Sequence, residues 1–187
     1  MDEEAYKKQI AKLKELKRSH ANHYQWHDKT IKELIIGLDF FAQLEESLGE
    51  RLINIEPAED PPDVKITTSK DRVIGVEITE LVDQQAIEYS IKGDPRYSEK
   101  LVSWNKETTL AALDEIISSK NKKCNQAKEN YECLVLLIFT SEPRLVSKNL
   151  MEYISGHDWQ AQENIDAAYI LIGYDPEHGG KSLMQLF

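Results

Sequence analysis

The sequence predicts an α/β protein with a mixed sheet and helices on both faces. This prediction follows first from the early strands, which succeed one another at hairpin distance, whereas the later strands are separated by helical segments. It follows second from residues 133–140 and 167–174, which are nearly continuous apolar runs, as in strands that are buried on both faces. We therefore expect the order helix, three strands, helix, strand, helix, strand.

Two helical segments are expected at the start of the chain. Residues 3–28 contain no glycine or proline and are mostly polar or charged, which predicts a helix with a thin apolar stripe. Residues 30–49 predict a stronger amphipathic helix, which Thr30 and Glu33 can cap as a pair and Gly49 can end. We accordingly expect a charged helical arm over residues 1–29 and an α/β domain over residues 30–187.

Three short strands are expected after the second helix. Residues 51–55 form the first strand, and three prolines within 57–62 then interrupt regular structure. Residues 64–68 and 73–79 form a hairpin whose three-residue loop pairs residue 68 with 72, and therefore residue 63 with 77. The remaining elements are expected at 98–123 (helix), 133–140 (strand), 145–155 (helix) and 167–174 (strand), with an irregular tail.

The composition indicates one compact domain with an appended arm. The chain has 187 residues, of which 41% are hydrophobic and 30% charged, and its net charge is −10. This negative charge argues against a protein that coats nucleic acid. The charge is uneven, because residues 1–32 hold eight basic and five acidic residues, whereas the remaining 155 residues hold 15 basic and 28 acidic ones.

No segment predicts membrane insertion or export. The longest apolar run, Leu134 to Phe139, is too short to cross a bilayer, and the first residues lack the features of a signal peptide. The two cysteines, Cys124 and Cys133, cannot frame a disulfide scaffold and are expected to be reduced thiols. We therefore expect a cytoplasmic protein without a membrane partner.

Two carboxylates are predicted to meet on neighbouring strands. Asp63 opens the second strand and Glu77 lies near the end of the third, so the expected register places them about 4.8 Å apart in backbone. Such a pair can share a divalent cation, and Mg²⁺ suits phosphate substrates. A separation above about 8 Å would exclude one shared ion. The alternative is two unrelated strand acids that face solvent.

A third carboxylate lies within an apolar surface. Glu45 falls at the centre of the apolar stripe of the 30–49 helix. A carboxylate in such a place is costly unless it is paired or binds a cation. Either Glu45 faces the candidate site, or its carboxylate reaches solvent at the helix end.

These features together resemble the PD-(D/E)XK nuclease superfamily. The matching residues are Pro62-Asp63 at the opening of a strand and the strand 73–79, which carries Glu77, within an αβββαβ order over roughly residues 30–140. The resemblance implies a restriction-endonuclease-like core and hydrolysis of DNA phosphodiester bonds with Mg²⁺ or Mn²⁺. It further implies that Asp63 and Glu77 bind the metal, that Glu45 is a supporting acid, and that a metal-activated water attacks the phosphorus.

One position departs from the superfamily pattern. Thr79 stands where the superfamily has a lysine that positions the water or stabilises charge, and threonine cannot carry that positive charge. One interpretation is that Lys100 or Lys106, at the start of the following helix, supplies the cation. The other is a catalytically inactive module of the same fold that binds a protein or a nucleic acid.

Two basic clusters are candidates for contact with nucleic-acid phosphates. One lies in the arm and the other at the end of the long helix; they comprise Lys14, Lys17, Arg18, Lys120 and Lys123. For the arm, the alternative is a solvated helix or one that forms a homodimer. For the helix end, the alternative is that the lysines complement the helix dipole.

Overall fold

The computed structural model describes residues 29–83, 88–89, 92, 104–142, 145–160, 162–175 and 179–187. The chain divides into two units, one formed by residues 1–28 with 82–102 and the other by residues 29–81 with 103–187. The second unit is the α/β body that follows here. The predicted helix over 3–28 lies outside the described residues.

The described part of the α/β body contains three α-helices and six strands. In chain order they are α1 (Lys29–Leu48), β1 (Leu52–Pro57), β2 (Val64–Thr68), β3 (Val73–Glu80), α2 (Lys106–Lys123), β4 (Cys133–Thr140), α3 (Ser147–Ile154), β5 (Ala167–Asp175) and β6 (Gly180–Gln185). Two short 3₁₀ turns, Cys124–Gln126 and Lys128–Asn130, connect α2 to β4. The predicted α/β class and element order are confirmed. The tail, expected to be irregular, instead contributes β6.

All six strands form one mixed sheet in the order of the sequence. The first three strands are antiparallel, β3, β4 and β5 are parallel, and β6 returns antiparallel to β5. Parallel neighbours require a crossover connection, which α2 supplies between β3 and β4 and α3 supplies between β4 and β5. Among the described helices, none combines the length and apolar character that a membrane crossing needs.

The pairing of β2 with β3 has the predicted register. Val64 lies opposite Val76 and Ile66 lies opposite Ile74. The ladder continues by one residue beyond β2, because the backbone N–H of Asp63 donates to the carbonyl of Val76 at 3.2 Å. Asp63 therefore enters the sheet beside Glu77, as expected.

The central strands of the sheet, β3 and β4, are buried on both faces. One core contains Phe40 and Phe41 of α1 together with Val76 of β3, and the other contains Leu113 of α2 together with Leu136 of β4. Because side chains alternate along a strand, Val76 and its alternate neighbours face α1, and Glu77 points to the α2 side. The face of the sheet that carries Glu77 is thus covered by a second layer of helices, α2 and α3.

One predicted helix boundary agrees with the structure and another differs, and the local hydrogen bonds explain both. Gly49 has φ 60, and its N–H donates to the carbonyl of Glu45 at 3.0 Å, which ends α1 as predicted. The next helix, α2, begins at Lys106 rather than near residue 98. Its start is set by a capping box, in which Asn105 Oδ1 accepts the N–H of Thr108 at 3.0 Å and Thr108 Oγ1 accepts the N–H of Asn105 at 3.2 Å.

Candidate metal centre

Asp63 is held at the start of β2 by its backbone and its side chain. Its N–H donates to Val76, and its Oδ2 accepts the N–H of Ile78 at 2.7 Å. The side chain is almost completely buried. The carboxylate thus satisfies a backbone donor of β3 with one oxygen, while Lys29 Nζ lies 3.4 Å from the other oxygen, Oδ1.

Glu77 is a fully buried carboxylate in the middle of β3. Its Oε1 accepts two charged hydrogen bonds from the last turn of α2, at 2.6 Å from Lys120 Nζ and at 2.9 Å from Lys123 Nζ. Its Oε2 is buried and accepts no hydrogen bond from the part of the chain that the structure describes. A buried carboxylate oxygen without a partner is costly, so it marks a place where a cation or a donor belongs.

Asp60 completes a cluster of three carboxylates. One oxygen from each of Asp60, Asp63 and Glu77 lies within 4.8 Å of the others. Asp60 is exposed, and its Oδ1 lies 2.5 Å from Lys123 Nζ. The sequence reasoning did not identify Asp60, although this residue precedes the two prolines that bring the chain into Asp63.

The first turn of α1 supplies the helix residues that reach Asp63. Lys29 Nζ lies 3.4 Å from Asp63 Oδ1 and 3.1 Å from Glu33 Oε1. Burial, and then the nearby charge of Asp63, raise the pKa of Glu33 above its ordinary value. The acid of α1 next to Asp63 is therefore Glu33. Since α1 begins at Lys29, Thr30, the predicted N-cap, lies inside the helix.

The structure does not bring Glu45 to this cluster. Its Oε1 accepts the N–H of Leu52 at 2.9 Å, where β1 begins. Leu52 is paired with Thr68, at the opposite end of β2 from Asp63. Five residues of extended chain separate those ends, which is about 17 Å. Glu45 thus satisfies a backbone donor at the far end of the sheet.

Nor does the structure bring Lys106 to the cluster. Lys106 is exposed at the first turn of α2, and Lys120 lies 14 residues further on, about 21 Å along the helix axis. Because α2 joins two parallel strands, it runs back along the sheet, and its last turn reaches Glu77. Thr79 is half-buried on the same side of β3 as Glu77. Lys100 lies outside the described residues.

The charges of the cluster stabilise one another. Burial alone lowers the pKa of Lys123, but its hydrogen bonds to Asp60 and Glu77 outweigh that effect and raise the pKa well above its ordinary value. The hydrogen bond from Lys123 in turn holds the pKa of Asp60 below its ordinary value. Burial, followed by the negative charge of Glu77, raises the pKa of Cys124 to about 11. The neighbouring thiol therefore stays protonated, and the donors of the cluster are carboxylate oxygens.

These donors fit a hard divalent cation. Oxygen ligands bound at about 2.1 Å lie up to about 4.2 Å apart across an octahedral ion, so a small contraction of the cluster suffices. An ion bound by Glu77 through Oε2 would give this oxygen the partner that it lacks within the described residues. The cluster of Asp60, Asp63 and Glu77 can hold such an ion, and Glu33 lies beside it.

Of the two basic clusters predicted from the sequence, the one at the end of α2 lies within the described residues. Lys14, Lys17 and Arg18 lie outside the described residues, whereas Lys120 and Lys123 lie in the carboxylate cluster.

Comparisons of the chain with protein-family models, with curated proteins and with solved structures find no significant match. The candidate centre therefore stands on the geometry of these residues.

Proposed function

We propose that this domain hydrolyses phosphodiester bonds of DNA with a Mg²⁺ or Mn²⁺ ion held by Asp60, Asp63 and Glu77. The observation that supports the proposal most strongly is the convergence of these carboxylates, with one oxygen of each within 4.8 Å of the others, at the fully buried Glu77. The αβββαβ order and the placement of Pro62-Asp63 and Glu77 on adjacent strands agree with the PD-(D/E)XK superfamily. DNA as substrate, and the nuclease family itself, are parts of this proposal.

Lys120 and Lys123 are the best candidates for the role of the missing lysine. Both ammonium groups contact Glu77, and the Lys120 and Lys123 side chains are 21% and 37% exposed, so each can also reach a ligand from solvent. Thr79, on the same side of β3, can donate a hydrogen bond but no positive charge. In the proposed reaction the two lysines orient the scissile phosphate and stabilise the charge that develops on its oxygens.

The carboxylates have a different role in the proposed reaction. Asp60, Asp63 and Glu77 hold the cation, which supplies Lewis-acid chemistry and an activated water when it is bound. Asp63 keeps its orientation because the Ile78 N–H donates to its Oδ2, and Lys29 Nζ contacts its Oδ1. Glu33 lies beside Asp63, burial and that carboxylate raise its pKa, and in the proposed reaction it would accept a proton from the attacking water.

The proposal is tested by incubating the purified chain with plasmid, linear and single-stranded DNA, with Mg²⁺, Mn²⁺ or chelator. We expect metal-dependent cleavage that Glu77→Gln lowers about 100-fold or more, since even partners of metal ligands contribute 10- to 100-fold. The matched control is Glu80→Gln, on the same strand but paired with Lys32 at 2.7 Å, which should cleave like the natural chain. Absence of cleavage under every condition, or equal cleavage by Glu77→Gln, would refute the proposal.

A second candidate function is a binding module without catalysis. It is favoured by the lysine contacts, because Asp60, Asp63 and Glu77 each already have an ammonium group within 3.4 Å. Such a cluster would be electrically balanced without a metal. Thermal unfolding with and without Mg²⁺ separates the two candidates, because a ligand at 100 times its Kd stabilises a fold by about 2.7 kcal/mol. A binding module of this kind would show no Mg²⁺-dependent shift in Tm.

A further inference from the structure

A cleft of about 570 Å³ opens directly beside the candidate metal centre. Its walls come from the turn after β1, from β2 and from the 3₁₀ turns that follow α2. The residues that matter here are Asp60, Lys65, Gln126, Asn130 and Tyr131. Asp60 belongs both to the cleft and to the carboxylate cluster, so a ligand in the cleft lies next to whatever the cluster holds.

The aromatic ring of Tyr131 is held against the sheet. Gly75 of β3 has no side chain, and a Cβ placed there would lie 2.9 Å from Tyr131 Cγ and 3.0 Å from Pro62 Cγ. The ring therefore packs directly on the backbone of β3, and any larger residue at position 75 would displace it. Since Tyr131 is only half-buried, the rest of the ring lines the cleft.

The polar groups of the cleft suit a neutral ligand with hydrogen-bonding edges. The exposed side chains of Gln126 and Asn130 each offer donors and an acceptor. Lys65 is already paired with Glu56 at 2.5 Å, and Glu59 and Asp60 add negative charge to the wall. A phosphate group is therefore disfavoured inside the cleft, whereas a planar, uncharged ring is favoured.

We propose that the cleft binds one unpaired base of the DNA substrate, stacked on Tyr131, with the adjoining phosphate at the metal centre. This inference rests on the proposed nuclease function and names the form of substrate. The volume lies within the range of about 300–1,000 Å³ that small-ligand sites have. A stack on an aromatic ring accepts every base, and amide side chains read base edges. A paired base cannot enter without leaving its stack, so the substrate is single-stranded or locally unpaired DNA.

The test compares two ligands that contain no phosphodiester bond. Thymidine 5′-monophosphate and 2-deoxyribose 5-phosphate differ only in the base, and their affinities for the full chain are measured by calorimetry or NMR in Mg²⁺. We expect the nucleotide to bind about ten-fold or more tightly. Tyr131→Leu should abolish this difference and Tyr131→Phe should retain it. Replacing the two exposed amide residues together, Gln126→Leu with Asn130→Leu, removes the groups that read base edges and should abolish most of the difference without altering the packing on Gly75.

The outcomes separate this inference from the proposed function. Metal-dependent cleavage together with equal affinity for the two ligands would overturn the base site and leave the nuclease proposal standing. A base preference that depends on Tyr131, without any metal-dependent cleavage, would refute the nuclease and retain the cleft as the base site of a binding module. If Tyr131→Leu fails to fold, as judged by thermal unfolding, the double variant Gln126→Leu with Asn130→Leu decides the question, and an unchanged base preference in that variant overturns the inference.

Discussion

At the scale of single residues, Glu77 is the group whose environment is most constrained. It is completely buried, yet it receives two ammonium groups on one oxygen and none from the described residues on the other. Removing one partner of a buried ion pair costs more than the pair itself contributes, because the remaining charge loses its compensation. Glu77 therefore links the stability of the fold to the chemistry of the site.

A lysine substitution measures that link. Lys120→Met should lower the free energy of unfolding by about 1–3 kcal/mol in chelator, less than the loss of a fully buried pair because Lys123 still contacts Glu77. Added Mg²⁺ should restore part of the loss, since the cation supplies the missing positive charge. Denaturant unfolding with and without Mg²⁺ gives both values. The exposed neighbour Lys122→Met is the matched control and should change stability by less than about 0.5 kcal/mol; an equal loss in both variants would contradict the prediction.

Among the acids of the site, two were predicted from the sequence and two were not. Asp63 and Glu77 could be paired in advance, because a short polar loop sets the register of a hairpin. Asp60 and Glu33 could not be ranked above many other surface acids, since only the folded chain shows which of them approach Asp63. Glu45 illustrates the converse, because its place in the apolar stripe reflects a hydrogen bond to Leu52.

At the scale of elements, buried acids connect segments that are distant in the sequence. Asp175, at the end of β5, is fully buried and accepts hydrogen bonds from the N–H of Ser147 at 3.3 Å, from its hydroxyl, and from the hydroxyl of Ser182 at 3.0 Å. It thereby caps the start of α3 and ties that helix to β6. Val146, the residue that precedes the helix, makes no side-chain hydrogen bond that caps it.

Loss of this cap should be costly. Asp175→Ala should lower the free energy of unfolding by about 2–3 kcal/mol, because it removes a helix cap and the buried acceptor that the Ser147 and Ser182 hydroxyl groups share. Denaturant unfolding measures the change. Asp158→Ala, in an exposed position after α3, serves as the control and should have little effect. A loss below about 0.5 kcal/mol for Asp175→Ala would show that the cap has no net value.

A second buried acid, Glu50, makes the stability of the fold depend on pH in a predictable direction. Glu50 follows α1, and its pKa lies below the ordinary value of 4.5, first because of a hydrogen bond with Thr68 and then because of Arg72 and Lys70. A lowered pKa in the folded state means that the contribution to stability is complete above pH 4.5. It is lost as the pH falls through the lowered pKa.

The corresponding experiment compares Glu50→Gln with the natural chain across the acid range. The natural chain should be more stable above pH 4.5, and the gap should shrink as the pH falls further, because both chains are then neutral at position 50. Urea unfolding at several pH values gives the gap directly. The exposed Glu115→Gln, on α2, should show a small gap that does not depend on pH. A gap for Glu50→Gln that widens on acidification would contradict the assigned sign.

At the scale of the whole molecule, the distribution of charge decides how DNA could approach. The net charge is −10, and three of the lysines of the described body neutralise the acids of the candidate centre. A bound divalent cation would free these lysines for phosphate. We therefore expect binding of DNA to be weak without metal and to fall steeply with salt.

The basic arm provides the test at this scale. Replacing Lys14, Lys17 and Arg18 together by glutamine should flatten the plot of log affinity against log salt by up to about 2.7 for duplex DNA, which corresponds to three phosphate contacts. The rise in Tm caused by Mg²⁺ should be unchanged, because these residues are not metal ligands. Anisotropy titrations at several salt concentrations measure the slope. An unaltered slope would assign the arm to another role, such as dimer formation.

The sequence by itself determined the α/β class, the order of the elements and the register that sets Asp63 beside Glu77. These features follow from local hydrophobic periodicity and from a short loop, both of which are visible in the sequence. Only the tertiary structure decided which other residues join them. The crossover geometry of α2 directs its last turn, with Lys120 and Lys123, to Glu77, and the start of α1 brings Lys29 and Glu33 to Asp63. Contacts between residues 30 to 46 positions apart depend on how elements pack, and no local pattern encodes that.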